Sequence, residues 1–233
     1  LLVNGTTAAT LVRVNDPREP TRGRIALQMG GQSTDITREM TGGVIGGLLD
    51  TRSQLIESTR NELGRLAAVV VTTLNERNVA GDDKNGNPGA ALFTMGVPSV
   101  RPASTNTGSA TVSVTLGSVH DLTASDYLIE RAGATWTIRR LSDDSTVTPT
   151  GAGTNADPWI IDGLSVAIDG GAPASGDSFL LRPTRSLIEG IGVSITSGSQ
   201  LAAAARNTAA GNNQNAFSLV GVFDEKLLES NTR

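Results

Sequence analysis

The chain has 233 residues, which is enough for one sizeable core or for two domains, and its 38% hydrophobic content with 27 glycines is that of a globular protein. A net charge of −4 without a basic cluster argues against binding to a nucleic-acid backbone, and no apolar run approaches the roughly 20 residues that cross a membrane. The absence of cysteine excludes disulfides, thiolate chemistry and cysteine-based metal sites.

Residues 1–106 are predicted to combine short strands with one amphipathic helix. Strand candidates lie at 11–14 and 25–29; Asp16-Pro17 and Glu19-Pro20 turns separate them, and a Gly30-Gly31 turn follows the second. The chain begins at Leu1 without an initiator methionine, so we expect a portion of a longer protein.

Residues 48–78 carry the one strong helical pattern. Apolar residues recur every three or four positions, which predicts a helix with one buried face formed by Leu55, Thr59, Leu63, Leu66, Val70 and Leu74. The sequence Thr59-Arg60-Asn61-Glu62 matches a capping box and predicts a second helix start, with a bend near 57–59. Gly64 inside the helix fits either close packing or simple tolerance. No sustained a/d heptad seam is present, so we expect a monomer or weak association.

A Pro/Gly/Asn-rich connector at 81–106 separates the helix from a β-rich stretch at 107–184. Residues 110–183 alternate apolar and polar with period two between turn sequences, which predicts an inserted all-β domain, a sandwich or partial barrel. Residues 185–233 are expected to return and pack on the first domain, with a strand near 192–195 and a possible helix at 216–228. The predicted fold class is therefore α+β, mainly β.

The residue types that could carry catalysis or bind a metal do not form a recognisable site. His120 is the single histidine, and neither cysteine nor a Gly-x-Ser-x-Gly nucleophile turn accompanies it. The loop beginning at Asp82-Asp83 resembles a calcium loop, but counted from Asp83 its sixth and twelfth positions are Pro88 and Thr94, which break that pattern. We expect no catalytic, cofactor-binding or metal-ligating residue, no cofactor and no enzymatic activity.

Two further features are better explained by structure than by binding. Residues 151–156 imitate a dinucleotide fingerprint, but Pro149 and Pro158 flank them and leave no helix start for a pyrophosphate. Tyr127, Trp136 and Trp159 could stack on sugars, although strand-like surroundings favour core packing.

Several segments, in order, resemble the flagellar hook-associated protein 1 family across about residues 1–206. They are a Gly-rich lead at 42–52, RNELGRLA at 60–67, an Asx/Gly loop at 81–89 leading to Phe93, LTASDY at 122–127, WTIRRL at 136–141, DGL at 162–164 and GDSFLLRP at 176–183. The long heptad helices at both ends of family members have no counterpart here, and residues 207–233 match least well.

The resemblance implies a secreted structural subunit of the junction between flagellar hook and filament. Implied partners are the hook protein, a second junction protein, neighbouring copies and an export chaperone, with neither nucleic acid nor membrane involved. Export of the unfolded chain through a narrow channel would also account for the lack of cysteine. The alternative is a secreted β-sandwich adhesin that binds glycans, and a third possibility is an exported glycan hydrolase with two carboxylates about 5–10 Å apart.

Overall fold

The computed structural model describes residues 3–4, 7–208, 211–225 and 227. The first part is antiparallel. A two-stranded ribbon pairs β1 with β2, and a three-stranded sheet has the order β3-β4-β5. These strands are β1 (Val3–Asn4), β2 (Thr7–Ala8), β3 (Thr10–Asn15), β4 (Gly23–Met29) and β5 (Gln32–Asp35). Both strands predicted here, at 11–14 and 25–29, are present.

One long helical segment follows and is uninterrupted from 43 to 79. It comprises α1 (Gly43–Asp50), a π-helix (Thr51–Glu57) and α2 (Ser58–Val79). The predicted helix start at Thr59 is wrong, because the π-helix carries the chain straight into α2 and no side chain caps its first turn. The predicted bend at 57–59 lies at the end of the π-helix, where the wider turn takes up the local irregularity without ending the helix.

The buried face of α2 differs from the predicted one. Its buried side chains are small or polar: Asn61, Gly64, Ala68, Val69, Val71, Thr73 and Asn78. Leu55, Leu63 and Leu66 are exposed, so the predicted burial of this leucine face is wrong for the described part of the chain. The reason is that the returning backbone packs against the opposite side of the helix, which offers little side-chain bulk.

Two asparagines and one glycine explain how that backbone packs so closely. Asn75 accepts the N–H groups of Leu92 and Phe93 at 2.8 and 2.9 Å. Asn78 donates to the carbonyl of Ala90 at 2.7 Å and accepts the N–H of Ala202 at 2.9 Å. These amides satisfy backbone groups that would otherwise be buried without partners. A Cβ on Gly64 would lie 2.3 Å from the carbonyl oxygen of Thr184, so close packing, and not simple tolerance, accounts for this glycine.

Two antiparallel sheets surround the main core, and we call residues 99–182, which form them, the β domain. The five-stranded sheet has the order β12-β11-β10-β15-β8 and the three-stranded sheet β13-β14-β9. The strands are β6 (Gly81–Asp82) and β7 (Phe93–Thr94) in the connector, then β8 (Ser99–Pro102), β9 (Thr111–Leu116), β10 (Tyr127–Ala132), β11 (Thr135–Arg140), β12 (Thr146–Val147), β13 (Trp159–Ile161), β14 (Leu164–Gly170) and β15 (Ser178–Arg182). The α+β, mainly β fold class is thereby confirmed.

The core of the β domain extends onto the long helix. Fully buried side chains from both sheets, Tyr127 and Phe179 from the five-stranded one and Leu164 and Val166 from the three-stranded one among them, form one cluster with Ala68 and Val69 of α2. Burying this contiguous apolar surface is the main source of stability for the fold.

The rest of the chain returns to the first part of the fold through short elements. They are α3 (Arg185–Glu189), β16 (Gly192–Val193), β17 (Ala204–Ala205) and α4 (Gln214–Gly221). β16 pairs with β7 and β17 with β6, so the return segment closes over the connector. The strand near 192–195 is present but shorter, and the helix predicted at 216–228 begins and ends earlier; residues 226 and 228 lie outside the described residues.

Candidate assembly surface

The positions that offered possible catalytic or metal chemistry are scattered. His120 is exposed in a short 3-10 helix (Val119–Asp121) on the β domain. Across the described ranges, no three His, Cys, Asp or Glu side chains come together as a metal group.

The loop at Asp83 is a turn closed by its own carboxylate. One oxygen of Asp83 accepts the N–H groups of Asn85 and Asn87, each at 2.8 Å. These hydrogen bonds lower the pKa of Asp83, and the one from Asn87 has the larger effect. Such Asx turns are the ordinary use of Asp and Asn beside glycine.

The Gly151–Gly153 stretch is also a turn. Gly151 and Gly153 both have positive φ, and the next element is the strand β13, so no helix start faces this loop. A Cβ on Gly153 would fall 2.2 Å from the Trp159 ring. The glycine therefore makes room for a core tryptophan.

The three aromatic side chains considered for sugar binding pack in or against the core. Tyr127 and Trp159 are buried, and Trp136 packs on Trp159 edge-to-face at 6.0 Å between centroids. The Tyr127 hydroxyl donates to Asp162, which also pairs with Arg140 at 2.6 Å. Burial is the main cause of the raised pKa of Tyr127, and this hydrogen bond raises it further.

A buried group of charges joins the three parts of the chain, and sequence reasoning missed it. This junction cluster contains Glu19 from the β3–β4 loop, Glu57 from the π-helix, Asp126 from the β domain, Arg182 at the end of β15 and Arg185 at the start of α3. Asp126 Oδ2 lies 2.5 Å from Arg185 and 3.6 Å from Arg182. Burial raises the pKa of Asp126 to about 6, although Arg185 and then Arg182 oppose the shift. The only sequence signal was that Asp126 and Arg182 fall inside two of the family-like segments.

Another residue of those segments has a local role. Asp177 accepts the N–H groups of Thr107 and Gly108 through one oxygen and that of Ala174 through the other. It therefore fixes the loop that enters the β domain against the turn before β15.

A polar cleft of about 740 Å³, lined by the junction cluster residues Glu57, Asp126 and Arg185, lies beside the π-helix.

The long helix presents a row of apolar side chains outward. We call this set the apolar row: Leu48, Leu55, Ile56, Leu63 and Leu66. Leu48 is 66% exposed, Leu55 62% and Leu63 52%. Large apolar side chains gathered along one helix face are typical of a surface that packs on another protein segment. No helix in the described residues is long and apolar enough to span a membrane.

A mainly β fold packed on a long helix, with an exposed apolar row along that helix, is typical of a protein that packs on other protein segments. Two family models agree with the order of the segments. The helical domain of the flagellar hook-associated protein FlgK matches residues 1–93, and the D2-like domain of flagellar hook-associated protein 1 matches residues 102–183. The chain belongs to the flagellar hook-associated protein 1 family.

Individual relatives are similar over most of this chain. Flagellar hook-associated protein 1 of Salmonella typhimurium is 35% identical over 211 residues, which cover 88% of this chain and 37% of the relative. Flagellar hook-associated protein 1 of Escherichia coli is 34% identical over 212 residues, which cover 89% of this chain and 38% of the relative. The flagellar hook junction protein FlgK from Burkholderia pseudomallei has a similar structure, with a TM-score of 0.71 and 32% identity over 88% of this chain and 38% of that one. The chain thus spans somewhat more than a third of these relatives.

Proposed function

We propose that the protein to which this chain corresponds is a structural, non-enzymatic subunit of the flagellar hook–filament junction. Family membership supports the role, and the exposed apolar row is the observation of this chain that carries it. A row of large apolar side chains exposed on this chain can be covered by another protein segment, either of the same full-length protein or of a neighbouring subunit. The protein would be secreted and lie in the bacterial flagellum, outside the cell.

The partners follow from the same proposal. We infer contacts with the hook protein, with a second junction protein and with neighbouring copies, and delivery by a flagellar export chaperone. The acidic net charge of −4 supports the absence of nucleic acid among them. The glycan-binding alternative loses its main argument, because Tyr127, Trp136 and Trp159 pack in or against the core.

Gene deletion followed by electron microscopy tests the role. Deletion should leave hooks in place while flagellin is shed into the medium; normal filaments on the deleted strain would reject the proposal. Complementation with the paired change Leu63→Glu and Leu66→Glu should fail to restore filaments, because charged side chains would prevent an apolar contact. Ile160→Glu is the matched control, since Ile160 is similarly exposed, at 51%, but lies on the β domain.

A further inference from the structure

The three-stranded sheet β3-β4-β5 has almost no core of its own. We call residues 10–35, all of which the structure describes, the arm. Ala26 is its one buried residue, and the other positions are half-buried or exposed. Its strands pair with each other along their lengths, Thr10 opposite Gln28 and Ala26 opposite Asp35. A small sheet with so little buried apolar surface gains little stability from packing.

Polar contacts hold the arm against the β domain. Arg18 Nε donates to Ser178 Oγ at 3.1 Å, and Arg18 Nη2 lies 3.6 Å from Glu130 Oε1. The N–H of Ser104 donates to the carbonyl of Pro17 at 2.9 Å. These contacts all come from the β3–β4 loop at one end of the arm.

The most enclosed of these contacts is the ion pair between Glu19 and Arg182. The Arg182 side chain is 5% exposed and that of Glu19 16%. Burial acts to raise the pKa of Glu19, but the hydrogen bond from Arg182 and its charge outweigh this effect, so the pKa is lowered. Without Glu19, Arg182 would keep Asp126, at 3.6 Å, as its carboxylate partner in the cluster. Removing one partner of an enclosed pair is costly because the other charge stays poorly solvated.

The same loop is tied to the long helix. Arg22 Nη1 lies 3.0 Å from Glu57 Oε1 in the π-helix, and Glu57 also faces Arg52 at 3.5 Å. The arm is thus attached through arginine–carboxylate pairs on two sides, while apolar packing contributes little.

We propose that the arm is an electrostatic latch: it is held on the helix and β domain by the ion pairs of Glu19, Arg18 and Arg22, and it swings away when they are screened or broken. The core of the β domain continues into α2 without the arm, so release leaves the rest of the fold intact. The physical basis of the latch is that the ion pairs of Arg18 and Arg22 are more exposed and weaken with salt, and that the enclosed Glu19–Arg182 pair, which salt screens less, does not hold the arm alone.

Distance measurement between two spin labels tests the latch. The chain has no cysteine, so Ser33→Cys on the arm and Thr137→Cys on the β domain, both exposed, give two defined labelling sites. At low salt the distance distribution should be narrow. Near 1 M salt, where the screening length falls to about 3 Å, the width should at least double. A distribution that stays narrow at high salt, or is already broad at low salt, overturns the proposal.

Glu19→Gln in the labelled chain removes the central pair while keeping the side-chain shape. It should give the broad distribution at low salt without loss of the β-domain signal in near-ultraviolet circular dichroism. Glu189→Gln is the matched control, because Glu189 is exposed at the end of α3 and takes part in none of the arm contacts described above. A narrow distribution in Glu19→Gln, identical to that of the control, would also contradict the latch.

Discussion

Asp126 shows how one residue combines a structural role with an energetic penalty. Its carboxylate holds Arg185 and Arg182 where the return segment leaves the β domain, yet one of its oxygens is buried without a hydrogen-bond partner. Taking a carboxylate out of water is unfavourable, and two arginines compensate only in part. The raised pKa of Asp126 expresses that balance.

This balance predicts a pH dependence of stability. The pKa of Asp126 is about 6 in the folded chain and 3.8 in its ordinary state, so the folded chain binds the proton more tightly. The contribution of protonated Asp126 to the free energy of unfolding is therefore fully present below pH 3.8 and is lost as the pH rises through about 6. Relative to Asp126→Asn, the free energy of unfolding of the wild type should fall by on the order of 1 kcal/mol from pH 5 to pH 7.5.

Urea unfolding at the two pH values measures this difference. The exposed change Asp169→Asn serves as the control and should leave the wild-type pH dependence unchanged. A wild-type chain whose advantage over Asp126→Asn grows between pH 5 and pH 7.5 would show that the arginines, and not burial, dominate at this site.

At the scale of elements, the sequence predicted the long helix and its apolar periodicity but not which side of it is covered. Periodicity shows that an apolar face exists; it does not show whether the covering partner belongs to the same stretch of chain. Here Gly64, Asn75 and Asn78 contact the returning backbone. The glycine leaves room for that backbone, and the two amide side chains hydrogen-bond to it. The leucines of the apolar row remain outward.

The close approach at Gly64 predicts a marked difference between two glycines of the same helical segment. Gly64→Ala would place a methyl group 2.3 Å from the Thr184 carbonyl oxygen, and displacing buried backbone should lower stability by about 1–3 kcal/mol. Gly47→Ala meets nothing within 4 Å, so the better helix propensity of alanine should raise stability by up to about 1 kcal/mol. Thermal unfolding of both variants checks the contrast; equal effects would mean that the Thr184 contact yields without strain.

For the whole molecule, local patterns were enough for the fold class, and the family-like segments were enough for the family. Period-two alternation after the connector corresponds to strands such as β9 and β14, which pair in register from Leu116 opposite Leu164. The junction cluster could not be predicted from the sequence, because its charges come from five places between Glu19 and Arg185 and meet only in the folded chain. The capping-box error at Thr59 has the opposite origin: a local motif was overridden by continuous helix.

The apolar row also bears on how this chain behaves in solution. Positions seven residues apart along the helix, Leu49, Ile56, Leu63 and Val70, are apolar, as in the first position of a heptad. The positions three residues after them are Arg52, Thr59, Leu66 and Thr73, so the second row of a two-stranded seam has one apolar member. Because stable pairing of two such helices needs both rows, the row suits a different partner better than a second copy of itself.

We therefore predict that the 233-residue chain sediments as a monomer, or associates only weakly, at micromolar concentration. The physical reason is that one row of leucines along a helix of about 55 Å cannot bury the apolar area of a stable dimer. Thr59→Leu would add an apolar residue to the deficient row, next to Leu55, Ile56, Leu63 and Leu66, and should measurably strengthen self-association. Leu63→Glu should abolish whatever weak association the wild type shows. A stable oligomer of the wild type, insensitive to Leu63→Glu, would mean that the chain associates through a surface other than the apolar row.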